Sequence, residues 1–555
     1  MLHPSPSRIL AALAIALPIG IAIGSFPFQG PVPTTMRDFA LSGTQAGDLD
    51  PANFETAEHC AICHGNYDVD NSPHETWTGS LMAQAARDPL FWAQMTNANQ
   101  DVEGVGYFCM RCHIPGGFIT GSALHADGSG LSDLDMDGVG CNFCHSMVDP
   151  AYQHGVSPLK DRGILANLIS IPQHYGNAMF VLDPDGTRRG PHTDPQAPHV
   201  ALPSEFHRTG EFCGTCHDVG NVAVSLNPNG TYAYNAMGQS TPNEDPHSLF
   251  PLERTYTEWK LSAFANGGVD MGGRFGGTGG PVVSTCQDCH MPQAEAQGCF
   301  SGPVRPDLKR HEFAGASSWV LEIIGILYAN DPAVDQAALA VGQAKAIEMV
   351  QRSATLELST VPSSGILDVR VINETGHKLP TGHIEGRRVF LHVRFLDAAG
   401  GLVSEHGHYD QASAHLDEAS TTVFEMKVGL SPAASQATGH AAGVTMHMAL
   451  ADTIEKDTRI PPRGFNNAAF EAGGAPVVGA VYGDGEYWAD VPFPIPASAA
   501  SVEVELYYQT VTRHYIEGLR NGNVTDHWGE TLYRLWLASS KGAPVKITEQ
   551  TLQLP

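Results

Sequence analysis

The chain has 555 residues, enough for roughly two to four domains, with 42% hydrophobic and only 16% charged residues. Gly (59) and Pro (38) are plentiful, which predicts a loop-rich protein that wraps something besides its own helices. A formal net charge of −28 argues against nucleic acid as a partner, because phosphate binding needs clustered Lys and Arg; a basic protein partner or a cation fits better.

At the start, Arg8 precedes an apolar run from Ile9 to Ile23, followed by Gly24 and Ser25. The run is shorter than the roughly 20 residues of a membrane helix, and Pro18 interrupts it. It reads as an export signal over residues 1–24, with an uncleaved tether as the alternative. No later segment is apolar enough to span a bilayer, so the mature chain is expected to be soluble and periplasmic or extracellular.

Ten of the 11 cysteines follow one pattern. Cys60-Ala-Ile-Cys63-His64 recurs as Cys109-Met-Arg-Cys112-His113, Cys141-Asn-Phe-Cys144-His145, Cys213-Gly-Thr-Cys216-His217 and Cys286-Gln-Asp-Cys289-His290. Two thiols three positions apart can add to the two vinyl groups of one haem, and the adjacent imidazole then reaches the iron as proximal ligand. Zinc ribbons and disulfide frameworks both leave five histidines without a role. The pattern therefore predicts five covalent c-type haems. Haems supply large apolar faces, so this region is expected to consist of short helices and loops packed on macrocycles.

Several phrases, "WTGSLMAQAARDPLFW", "GVGCNFCHSMVDP", "DPDGTRRGP", "FHRTGEFCGTCHDVGN", "ERTYTEWKLSAFANG", "TCQDCHMP" and "TGHKLPTGHIEGRRVFLHV", resemble a family of exported multihaem c-type cytochromes, loosely of the cytochrome c-554 type. The resemblance covers most of residues 50–400 and implies electron transfer. It implies a class of protein and no particular substrate.

Five haems also need distal positions filled or left open. Trp77-x-x-Ser80-x-Met82-Ala83 is echoed by Trp259-x-x-Ser262-x-Phe264-Ala265. The resemblance implies a haem-ligating His at the position of Met82 and Phe264. A thioether can bind iron and raises its potential relative to bis-His ligation, so Met82 is a candidate, with core packing as the alternative; Phe264 cannot bind. His311, shortly after the last motif and at the start of an expected helix, resembles a distal-ligand position. His377, in a Gly-His-Lys-Leu-Pro loop between two expected strands, is the next candidate. His199 and His207, just before the fourth motif, follow; His154 and His174 are weaker, and His74 is expected to be solvated.

Asp133-x-Asp135-x-Asp137-Gly138 has the opening spacing of a calcium loop, but Cys144 stands where a bidentate Glu would be. Calcium beside the third motif and a solvated acidic turn are both open. Cys299 is unpaired by the pattern and is expected to be an inert buried thiol.

From 317 to 355 the spacing of apolar residues predicts two helices, with Asp331-Pro332 as the break and Asp331 as cap of the second. Beyond, "ATLELST", "ILDVRVIN", "RRVFLHVRFLDAAG" and "ASVEVELYYQTV" alternate apolar and polar residues, which predicts strands. The reading is an α+β protein: signal peptide (1–24), pentahaem cytochrome domain of short helices and loops (25–316), helical connector (317–355) and β-sandwich-like domain (356–555). Its expected function is electron transfer between closely spaced haems, toward redox partner proteins, as a carrier more than a catalyst. The alternative is a reductase or oxidase of a small nitrogen or sulfur compound at a five-coordinate haem.

Overall fold

The computed structural model describes residue 32 and residues 34–554, apart from 237, 362 and 363; the expected signal segment lies outside them. The described residues combine helices and strands in an α+β arrangement. None of the described helices is long and apolar enough to cross a membrane.

Up to about residue 316 the chain forms short helices, short hairpins and turns. Four Cys-x-x-Cys-His runs occupy one- to two-turn helices: Ala57–His64, Val105–His113, Cys141–Ser146 and Cys286–His290. The fourth begins in the helix Gly210–Gly214 and continues through a turn in which His217 N–H donates to Cys213 O at 2.9 Å. Helical spacing puts residues i, i+3 and i+4 on one face, so each pair of thiols and its imidazole project together. The last helix is fixed by a capping box between Thr285 and Asp288.

The core here is aromatic. Phe143 and Phe180 meet edge to face at 4.9 Å, and the fully buried Arg111 guanidinium lies over Phe118 (4.7 Å) and Phe180 (5.2 Å). Arg111 donates to the carbonyls of Ala178, Ser42 and Thr44, tying two loop segments to its helix without a carboxylate. The helix Pro89–Asp101, capped by Asp88 on Leu90 N–H at 2.8 Å, buries Phe91, Trp92, Met95 and Ala98.

Two helices follow, Ser318–Leu327 and Gln336–Gln351. The cap of the second is Asp335, whose carboxylate accepts from Ala337 and Ala338 N–H, and not Asp331. Asp331 instead closes the preceding turn on Ala333 N–H at 2.9 Å.

The four expected strands form at Ala354–Val361, Ile366–Asn373, Arg388–Leu396 and Ser501–Gln509. The first two join Trp488–Pro494 in a three-stranded antiparallel sheet. The other two are neighbours in a second sheet, flanked by Leu402–His406 and Val545–Gln553. Alternate residues of both sheets, Leu367, Val369 and Val371 from one and Leu391, Val393, Val502 and Val504 from the other, share one core. Residues 356–555 also contain helices that the β-sandwich-like reading does not include. Helices Arg513–Gly522 and Trp528–Ala538 bury Tyr515, Ile516, Leu519, Leu532 and Trp536 against Trp319 and Ile323 of the first connector helix.

A buried ion network joins the two regions. Asp457 receives Lys378 Nζ at 2.7 Å and Arg459 Nη2 at 2.6 Å; Arg459 Nη1 reaches Glu258 Oε1 at 3.0 Å. Glu258 Oε2 also accepts from Lys378 N–H and Thr381 Oγ1, so the helix Thr255–Lys260 holds the 377–381 loop.

Glu385 is also buried, and its Oε1 has no hydrogen-bond partner among the described residues. Burial pushes its carboxyl up to about 8, against Lys427 and with help from Glu425. In the unfolded chain a Glu titrates near 4.3. Below that value both states hold the proton; above it only the folded state does. Stability is therefore expected to fall as pH rises from about 4.3 to about 8, by roughly 3–5 kcal/mol from this group alone. Glu385→Gln is expected to remove that component of the slope in urea titrations across the window.

Candidate functional site

All ten motif cysteines and all five motif histidines line one cavity of about 1540 Å³. That exceeds the roughly 300–1,000 Å³ of a single small-ligand pocket. None of the ten thiols is in a disulfide. Burial pushes the Cys109 and Cys144 thiols up to about 12.

The thiols meet across motifs. Cys60 lies beside Cys141, Cys112 beside Cys216, and Cys213 beside Cys286. Cys144 and Cys216 lie within electrostatic range of each other. The first site thus adjoins the third, and the fourth adjoins the second and fifth.

Hydrogen bonds set the motif imidazoles. His64 Nδ1 meets Gly298 O at 2.6 Å, His145 Nδ1 meets Arg189 O at 2.6 Å, and His290 Nδ1 meets Ala314 O at 2.7 Å. A carbonyl can only accept, so Nδ1 carries the proton and the Nε2 lone pair is left for a metal. His217 Nδ1 meets the Glu253 carboxylate at 3.1 Å instead. Burial pulls the His217 imidazole down, but the Glu253 hydrogen bond and charge outweigh it and raise it to about 9. His113 stacks on Phe91 at 4.0 Å, and burial lowers it to about 4.

All five candidate distal residues from the sequence, His199, His207, His311, His377 and Met82, line the same cavity. His199 lies with its ring centre 6.4 Å from that of His64, and His311 lies 6.2 Å from His145. Two metal–nitrogen bonds of about 2 Å plus two ring radii put trans imidazoles roughly 6 Å apart. His207 is 5.8 Å from His145, but its Nε2 is engaged by Cys144 O at 3.1 Å. His311 Nδ1 is buried without a partner; His311 itself sits in irregular backbone after the strand Val304–Lys309, not at the start of a helix. His377 Nδ1 faces Lys378 O at 3.0 Å, the arrangement found in the motif histidines, and His290 is within electrostatic range. Burial lowers His207 and His311 to about 3 and His377 to about 4.

The echoed element has a structural counterpart. Trp77 Nε1 donates to Val139 O at 3.1 Å and Trp259 Nε1 to Ser284 O at 2.8 Å, each two residues before the first cysteine of a motif. His74 also lines the cavity, whereas His154 and His174 are exposed outside it.

In the acidic turn the carboxylates of Asp133, Asp135 and Asp137 are not gathered within 4.8 Å of one another. Asp137 accepts from Ala57 N–H at 2.6 Å, and Asp135 accepts from Ser122 Oγ and from Ser132 N–H and Oγ. Gly138, at φ +55°, is required by backbone approach: a Cβ there would lie 2.5 Å from Met82 O. Cys299 lines the cavity beside the first motif, with Phe300 N–H on Cys63 O at 3.0 Å.

Two groups beside the cavity escape sequence reasoning. Glu253 carries no motif. His383 lies six residues after His377 in the same quoted phrase; its Nε2 meets Tyr515 O–H at 3.0 Å, Tyr515 donates to Gln94 Oε1 at 2.8 Å, and His113 is within electrostatic range.

No protein-family model matches the chain, and no curated protein matches it. Among solved structures it is similar to a penta-heme cytochrome c552 from Thermochromatium tepidum, at TM-score 0.51 and 16% identity, covering 91% of this chain and 100% of that one. The chain thus has a multihaem-cytochrome-like fold.

Proposed function

We propose that this chain is an exported c-type cytochrome that binds five haems and transfers electrons between partner proteins. One observation carries the reading: ten free thiols and the five motif imidazoles face a single cavity. In this reading each Cys-x-x-Cys pair anchors one macrocycle by two thioethers, and His64, His113, His145, His217 and His290 are the proximal ligands. When bound, haem supplies a one-electron change at iron.

The remaining contributions belong to the chain. Gly298, Arg189 and Ala314 hold three imidazoles in the ligating tautomer through their carbonyls. His199, His311 and His377 would join His64, His145 and His290 in holding three of the haem irons, with His207 as a neighbour of the third site. The layout assigned from the sequence, residues 25–316 around the cofactors, 317–355 as connector and 356–555 as a β-sandwich-like unit, is kept with the two added helices. A net charge of −28 favours a basic partner, with association weakened by salt.

A second reading, reduction or oxidation of a small nitrogen or sulfur compound, is favoured by the second site. There the group near His113 is His383, already engaged by Tyr515, and the Arg387 guanidinium in the cavity wall is held by Thr381 O and Ser317 Oγ. The intact mass of the exported protein is expected to exceed its polypeptide by five haems, and a denaturing pyridine assay to count five. A colourless product would end the proposal. Low-spin iron throughout by electron paramagnetic resonance supports the carrier; a high-spin signal shifted by nitrite supports the second reading.

A further inference from the structure

We propose that Asp101, His440 and His447 form a binding site for one divalent transition-metal cation, separate from the haem cavity. Each residue offers a ligand atom, and the three atoms lie within 4.8 Å of one another. His447 Nδ1 is 2.8 Å from Asp101 Oδ1, and the His440 and His447 ring centres are 3.8 Å apart. None of the three lines the haem cavity.

The arrangement is not local. Asp101 ends the helix Pro89–Asp101, and 346 positions separate it from His447. Asp101 is buried at 6% exposure, whereas Ala441, Ala442 and Val444 between the two histidines are exposed, which leaves an approach from solvent above a buried carboxylate. Two imidazoles and one carboxylate suit zinc, copper, nickel or ferrous iron better than calcium or magnesium, which prefer all-oxygen shells. A cation there would clamp the helix that carries Phe91, the ring stacked on His113, to the C-terminal half of the chain.

A second cluster, His392, Glu405 and His408, is a weaker candidate. Both imidazoles there already contact the same Glu405 oxygen, at 2.8 and 3.2 Å, and His392 Nδ1 is engaged by Glu505 at 3.0 Å.

The test is calorimetric titration of the chelator-treated, haem-loaded full chain with zinc chloride near neutral pH. One zinc per chain is expected at this site, with affinity falling at least about tenfold in Asp101→Asn and in His440→Ala. His440 lies in a half-exposed loop, so that variant keeps the fold, and an unchanged haem spectrum checks it. Absence of saturable binding, unchanged affinity in both variants, or loss only in His408→Ala would overturn the assignment.

Discussion

Replacing Cys213 and Cys216 together by Ser is expected to give a chain with four haems in which electron equilibration is broken, not merely slowed by a fifth. The thiols of the fourth site face two other sites, Cys216 toward Cys112 and Cys213 toward Cys286. The same double replacement at Cys60 and Cys63 removes an end, since Cys60 meets only Cys141. Stopped-flow reduction by a small donor should therefore be multiphasic in the Cys213/Cys216 variant and nearly native in the Cys60/Cys63 variant. Equal kinetics in the two variants would refute the junction. The haem count, four in both, is the control for attachment elsewhere.

Asp457→Ala is expected to lower the unfolding free energy by roughly 3–5 kcal/mol, because it strands buried charges. Lys378 and Arg459 are 0% and 4% exposed at their side chains, and Asp457 is the carboxylate both share. Burial works against the ionised Asp457, but Arg459 and Lys378 outweigh it and hold the carboxyl below its usual range. Glu258 would still pair with Arg459, which leaves Lys378 as the uncompensated group. Lys378 adjoins His377, so the loss should also disturb the absorption of the fifth site. A shift in denaturation midpoint worth under about 1 kcal/mol, as for an exposed pair, would contradict this account.

The attachment pattern is legible because it is local: one haem needs its thiols and imidazole within five positions, and a single helical turn delivers them. The strands are legible for the same reason, since alternation in "ILDVRVIN" reads directly as buried and half-buried faces. Partners across the cavity are not. Gly298, Arg189 and Ala314 act through carbonyls, which any residue possesses, so side-chain identity carries no trace of the role. His383 shares a loop with His377, and only Tyr515, 132 positions away, distinguishes it. The helix at 513–522 follows a strand closely, and its apolar face, Tyr515, Ile516 and Leu519, makes sense only against Trp319. Asp331 and Asp335 both precede plausible helix starts; Pro332 favours the first on paper, while the chain turns once more before the helix begins. The aspartates at 133–137 carry the right spacing, yet Ala57, Ser122 and Ser132 already occupy two of their carboxylates.

The acceptor for His64 lies 234 residues downstream, after the fifth motif, whereas that for His290 lies only 24 residues away. During synthesis from the N-terminus the earliest imidazole therefore stays rotationally free until residue 298 has emerged, so on the proposed reading the first haem would meet the least organised site and the last the most organised.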